Sequence, residues 1–194
     1  IYKMRLELMN EDLTKNYTQV LINEYIESLI NEKKYKKNEN EWDTEKLKDV
    51  IYDNFMLHID GLDSCYFDDD LKNKLQESLE EARIMRENIF GNEFSRKLER
   101  VIIMDVIDSA YADYLSYQSE FDKSILLRSY VKDNILTDYR LESSKSFNDL
   151  ISSIRIESLK AIFAYPLPGI KVKPSRRKKE NLSSQIKDLL DSIC

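Results

Sequence analysis

Two long apolar stripes between Arg96 and Tyr165 constrain this chain more than any other feature. Ile103, Ile107, Ala110, Tyr114, Tyr117, Phe121 and Ile125 recur at steps of four and three. That spacing lays them along one side of a helix. Phe147, Leu150, Ile151, Ile154, Leu159, Ile162 and Phe163 form a second, broader stripe. Between the two lies the polar break Ser129-Tyr130-Val131-Lys132-Asp133-Asn134. Each stripe needs an apolar partner, and a short connection lets the second helix fold back onto the first. The expected unit is an antiparallel helical hairpin. Its bend holds up Tyr130, with Arg128 and Lys132 beside it.

The rest of the chain also reads as helix. Gly and Pro number three each, too few for the turns of a β fold. Tyr17, Leu21, Tyr25 and Leu29, with Ile22, Ile26 and Ile30, give a wide buried face. Asp12 or Thr14 can accept from the free N–H groups at its start. The polar run Glu32 to Asn40 reads as a loop whose lysines favour the preceding helix C-terminus. Trp42-Asp43-Thr44 opens the next helix, with Asp43 as N-cap and Leu47, Val50, Ile51, Asn54 and Phe55 on one side. Asp60-Gly61-Leu62-Asp63 reads as a turn. A further helix carries Leu71, Leu75, Leu79, Ala82, Met85 and Ile89, with Glu/Arg pairs on its outer face. Gly91-Asn92 breaks or bends it. Tyr165-Pro166-Leu167-Pro168-Gly169 stops the last long helix.

Catalytic chemistry finds no foothold. Gly61, Gly91 and Gly169 are isolated, and none precedes the Lys-Ser or Lys-Thr of a phosphate loop. No HExxH or CxxC occurs. His58 is the one histidine and reads as a surface or packing residue. Asp68-Asp69-Asp70 lacks the other ligands and the glycine of a calcium loop. The three carboxylates fit a helix N-terminus instead, where the backbone dipole is positive. No metal site is expected. Cys65 and Cys194 suggest reduced thiols rather than a disulfide framework.

Charged residues make up 34% of the chain and the formal net charge is -6. That balance gives no global drive toward nucleic acid. No run approaches the roughly 18 apolar residues of a membrane span. Lys171, Lys173, Arg176, Arg177, Lys178 and Lys179 form the one strongly basic cluster, before a short apolar repeat of Ile186, Leu189, Leu190 and Ile193. The cluster reads either as a disordered linker or as a contact for anionic lipid headgroups or nucleic acid. The chain opens at Ile1 inside what reads as a helix, so a piece of a longer protein is expected.

The hairpin stretch resembles the C-terminal scaffold region of SecA, the ATP-driven motor of bacterial protein export. Leu98-Glu99-Arg100-Val101-Ile102, Val106-Ile107-Asp108-Ser109, Leu127-Arg128-Ser129-Tyr130, and Asp138-Tyr139-Arg140 with Glu142 carry the likeness. Ile1-Tyr2 with Arg5, and Trp42-Asp43 with Leu47, extend it toward the N-terminus. The resemblance implies an all-α chain with a helical wing domain packed beside a long antiparallel hairpin. Residues 1–9 would end a scaffold helix, 10–92 form the wing, 93–165 return the scaffold with its two-helix finger, and 166–194 form a basic tail. It implies a finger tip, Arg128, Tyr130 and Lys132, that contacts preprotein at the SecY channel. Its further partners would be motor domains that bind ATP and Mg, with no cofactor in this chain itself. The place of action would be the cytoplasm, peripheral at the inner face of the plasma membrane.

The chain departs from the family at several points. Tyr111 and Tyr114 stand where Trp and His are usual, Ser129 where Gly is, and Asn134-Ile135 where Asp-Pro is. The zinc-binding, cysteine-rich tail has no counterpart beyond Cys194. A divergent or accessory SecA accommodates these changes. The alternative reading is a non-enzymatic helical adaptor whose basic tail docks on membrane lipid or nucleic acid.

Overall fold

A computed structural model describes residues 1–9, 17–32, 35–38, 41–128 and 135–165. The helices are α1 (Tyr2–Met9), α2 (Tyr17–Asn31), α3 (Thr44–Phe55), α4 (Asp68–Phe90), α5 (Asn92–Arg128) and α6 (Ile135–Ala164). The described chain is all-α apart from one small ribbon, β1 (Lys36–Asn38) against β2 (Glu41–Trp42).

That ribbon corrects the loop reading of residues 32 to 40. The strands are held from outside. Trp42 is buried, and Lys36 Nζ lies 4.5 Å above its ring. The same ammonium donates to Asp68 Oδ1 at 3.0 Å, at the start of α4. A lysine that the sequence suggests for a helix end instead staples the ribbon to the next helix.

The caps follow the sequence. Asp43 Oδ1 accepts from the Lys46 backbone N–H at 3.4 Å. Hydrogen bonding to Lys46 lowers the pKa of Asp43. α3 ends at Met56 in the left-handed region, φ 57°. Asp68, Asp69 and Asp70 occupy the first turn of α4. Exposed His58 stacks on Tyr52.

One core serves every helix. Leu8 of α1, Ile22 and Ile26 of α2, Leu47, Ile51 and Phe55 of α3, Leu71, Leu75 and Leu79 of α4, Ile103 and Ile107 of α5, and Ile154 and Leu159 of α6 belong to one apolar cluster. The stretches read as wing and as scaffold therefore share their interior. Glu27 pairs with Lys72 across α2 and α4. Phe55 meets Phe163 across α3 and α6, with ring centroids 5.2 Å apart. Arg5 of α1 reaches Asp108 of α5 at 2.6 Å.

The α4 stripe ends earlier than its spacing suggests. Leu71, Leu75 and Leu79 are fully buried, yet Met85 and Ile89 are 61% and 45% exposed. The stripe keeps its inward place as far as Ala82, which packs against the core. Past this level the inward side of α4 turns to α5 and α6 through Arg83, Arg86, Glu87 and Phe90. Gly91, at φ +84°, then makes the corner into α5.

Candidate functional site

The hairpin is the feature on which any mechanical role would rest. Tyr114 meets Phe147 at 6.0 Å, and Phe121 meets Tyr139 at 5.5 Å. Partner numbers fall along α6 as they rise along α5, so the two helices are antiparallel, as the stripes require. Packing is uneven along them. At the base, Ile103, Ile107, Leu150, Ile154, Leu159, Ile162 and Phe163 are buried. Farther out on α5, the next buried apolar residue after Ile107 is Phe121. Tyr117 and Phe147, both on the predicted stripes, are 47% and 39% exposed. Among the described residues no third layer lies over this part of the pair, so each ring is covered on one side only and these aromatics stay half in water.

The distal half is therefore joined by rings and polar groups rather than by a dry core. Tyr117 stacks on Phe121, which stacks on Tyr139. The Tyr139 hydroxyl donates to Asp122 Oδ1 at 3.1 Å. Gln118 Nε2 donates to the same oxygen at 3.0 Å and to the Tyr139 hydroxyl at 3.3 Å.

At the base, the end of α6 is held by a side chain of α4. Arg86 Nη2 donates to the backbone carbonyls of Ile162 (3.3 Å), Phe163 (2.8 Å) and Tyr165. The last carbonyls of a helix lack partners inside it and carry partial negative charge, so a cation there meets both needs. The guanidinium also lies over the Phe163 ring. Burial lowers the pKa of Arg86, and Glu99 opposes that shift.

Next to it, Arg83 binds Glu80 at 2.7 Å and Glu87 at 3.1 Å, and Glu87 also takes Arg96 of α5 at 3.0 Å. Thr18 of α2 donates to Glu99 of α5 at 2.8 Å. Burial raises the Glu99 pKa, against the pull of Thr18, Arg83 and Arg96. By sequence these arginines belong to an outer face. They turn inward because Leu75, Leu79, Arg83, Arg86 and Phe90 continue one run at steps of four and three. The run is visible in the sequence, but a charge in it reads as surface until a helix end is known to lie opposite.

Of the expected contact residues, Arg128 is the last residue of α5. Tyr130 and Lys132 lie outside the described residues, as do Lys171, Lys173, Arg176, Arg177, Lys178 and Lys179. No helix among the described residues is long and apolar enough to cross a membrane.

The hairpin is thus held at its base by α4, through the Arg86 bonds to the end of α6. The SecA wing and scaffold domain family matches residues 1–166. The chain belongs to that family. Protein translocase subunit SecA of Clostridium botulinum (strain Okra / Type B1) is 25% identical to it over 84% of this chain and 20% of the relative. SecA of Heliobacterium modesticaldum is 27% identical over the same shares. SecA of Clostridium perfringens (strain SM101 / Type A) is 23% identical over 95% of the chain and 22% of the relative. The chain thus spans about a fifth of the length of these relatives. The family match covers α1 through α6, and so includes the residues of the shared core and Arg86.

Proposed function

We propose that the chain is the wing and scaffold of an ATP-driven protein translocase of the SecA type. In this reading, motor domains outside the chain bind ATP and Mg, and the scaffold carries their motion to the hairpin tip. The tip, Arg128, Tyr130 and Lys132, contacts a preprotein at the SecY channel. Tyr130 acts by aromatic contact without sequence preference, which suits a motor that must grip many clients. The complex works in the cytoplasm at the inner face of the membrane, and the basic residues 171–179 meet anionic headgroups. The observation that carries this reading is the antiparallel hairpin gripped at its base by α4. A lever of that kind can pass a push from one end to the other.

The test is export in a reconstituted system by a SecA-type motor carrying this chain. Tyr130→Gly is expected to abolish export and leave thermal unfolding unchanged. Export at the wild-type rate by that variant would remove Tyr130 from the mechanism.

A further inference from the structure

The hairpin's outer half has less to hold it than a lever requires. From Ile107, the last buried apolar residue at the base of α5 before half-buried Ala110, Tyr111 and Tyr114, to Asp122 is about 22 Å of helix, at about 1.5 Å per residue. Over that arm, a splay of about 10° displaces the far end by about 4 Å. Stacked rings resist separation, but they slide and roll with little penalty because their attraction is broad. Hydrogen bonds are directional and tolerate far less rotation. In this outer half a set of side-chain bonds crosses from α5 to α6 and converges on one point. Asp122 Oδ1 accepts from Tyr139 and from Gln118, and Gln118 also donates to the Tyr139 hydroxyl. One turn inward, Gln118 Oε1 and Ser143 Oγ are buried and lack partners. The pairings Tyr114 with Phe147 and Asp122 with Tyr139 set these two groups level with each other. A turn of the Ser143 hydroxyl would add a further bond to the same cluster.

We propose that Gln118, Asp122 and Tyr139 are positioning residues. They tie the free ends of α5 and α6 and fix where the tip points. The polar cluster is there for geometry: an aromatic or aliphatic seam would bind as well but would let the helices roll. This rests on the reading that the tip is the working end of the chain. The bonds to Asp122 are exposed to water. The half-buried Gln118–Tyr139 bond, beside the buried Gln118 Oε1 and Ser143 Oγ, is the part that matches the polar groups at helix seams that select one arrangement in other helical assemblies.

The test uses the 194-residue chain with Cys65→Ser and Cys194→Ser and pairs of spin labels. Labels at Lys123→Cys and Leu141→Cys report the outer half, and labels at Ser109→Cys and Ser152→Cys report the base. All four sites are exposed. The parent chain is expected to give narrow distance distributions at both pairs. Gln118→Leu with Tyr139→Phe is expected to broaden the outer distribution by about 4 Å, the displacement of an arm of this length, and to leave the base pair unchanged. The thermal midpoint should move by less than about 2 °C, since the core is untouched. Replacing Tyr139 by p-aminophenylalanine, which keeps a donor, should restore the narrow outer distribution; O-methyltyrosine should not. An unchanged outer distribution overturns the proposal. So does broadening at both pairs with a falling midpoint, which would mark an ordinary stabilising contact. In reconstituted export, the loosened variant should transport several-fold more slowly. Full transport despite a broadened outer pair would leave the tie standing and would sink the export role of the tip.

Discussion

Replacing Arg86 by alanine tests the grip on the hairpin base. Arg86 Nη2 approaches three carbonyls, those of Ile162, Phe163 and Tyr165. That nitrogen carries two hydrogens, so two bonds at full strength is the ceiling. A bond to a charged donor contributes about 1.5–3 kcal/mol. Taking the guanidinium out of water offsets part of this, as its lowered pKa shows. Contact with the Phe163 ring adds about 0.5–1 kcal/mol. The balance is a loss of about 2–3 kcal/mol, with the cost of orphaned carbonyls dominating. For a chain of this size each kcal/mol moves the midpoint by about 2–4 °C, so the fall should be about 4–12 °C. Circular dichroism at the helix band on heating reads it directly. Arg86→Lys keeps a cation but not the planar fork, and should recover about half of the loss. A midpoint within about 1 °C of wild type for Arg86→Ala would refute the grip.

Glu99 gives a pH prediction. Its folded pKa is raised above the ordinary 4.5, so the folded protein binds its proton more readily than the unfolded chain. The burial penalty is therefore full above the raised value and fades as pH falls toward 4.5. Glu99→Gln should remove this contribution, and the difference in denaturant midpoint between variant and wild type should shrink across that window. A difference constant with pH would count against it. Met56 sits at φ 57° and is 42% exposed. Met56→Gly should relieve left-handed strain and raise stability by about 0.5–1 kcal/mol in urea titration. A lower stability would show that its side chain packs better than its exposure suggests.

What can be read from sequence divides by the kind of signal. Ile103 and Ile107 on α5, with Ile154 and Leu159 on α6, announce themselves because repeated apolar residues at steps of four and three have few other meanings. Asp43 and Asp68 to Asp70 are legible because caps are local. Tyr117 and Phe147 share the same spacing yet stand half in water, because spacing tells which side faces a partner and not how many partners there are. Met85 and Ile89 mislead for a related reason: beyond Ala82 the inward side of α4 passes through Arg83, Arg86 and Phe90, one residue off the stripe. The ribbon at Lys36 and the inward turn of Arg83 and Arg86 depend on distant groups, Asp68 and the carbonyls ending α6. No window of neighbouring residues contains that information.

The corner at Gly91 has a consequence for how such a unit can flex. A methyl group on its α-carbon would meet nothing within 4 Å, so space is not what excludes a larger residue. The torsion is: φ +84° and ψ 150° suit glycine alone. On either side the chain is already committed, with Gly91 N–H bonded back to Glu87 and the Ser95 N–H bonded back to Gly91. Any swivel of α4 against α5 must then pass through a single pair of dihedral angles, which makes this residue the axle of the whole assembly.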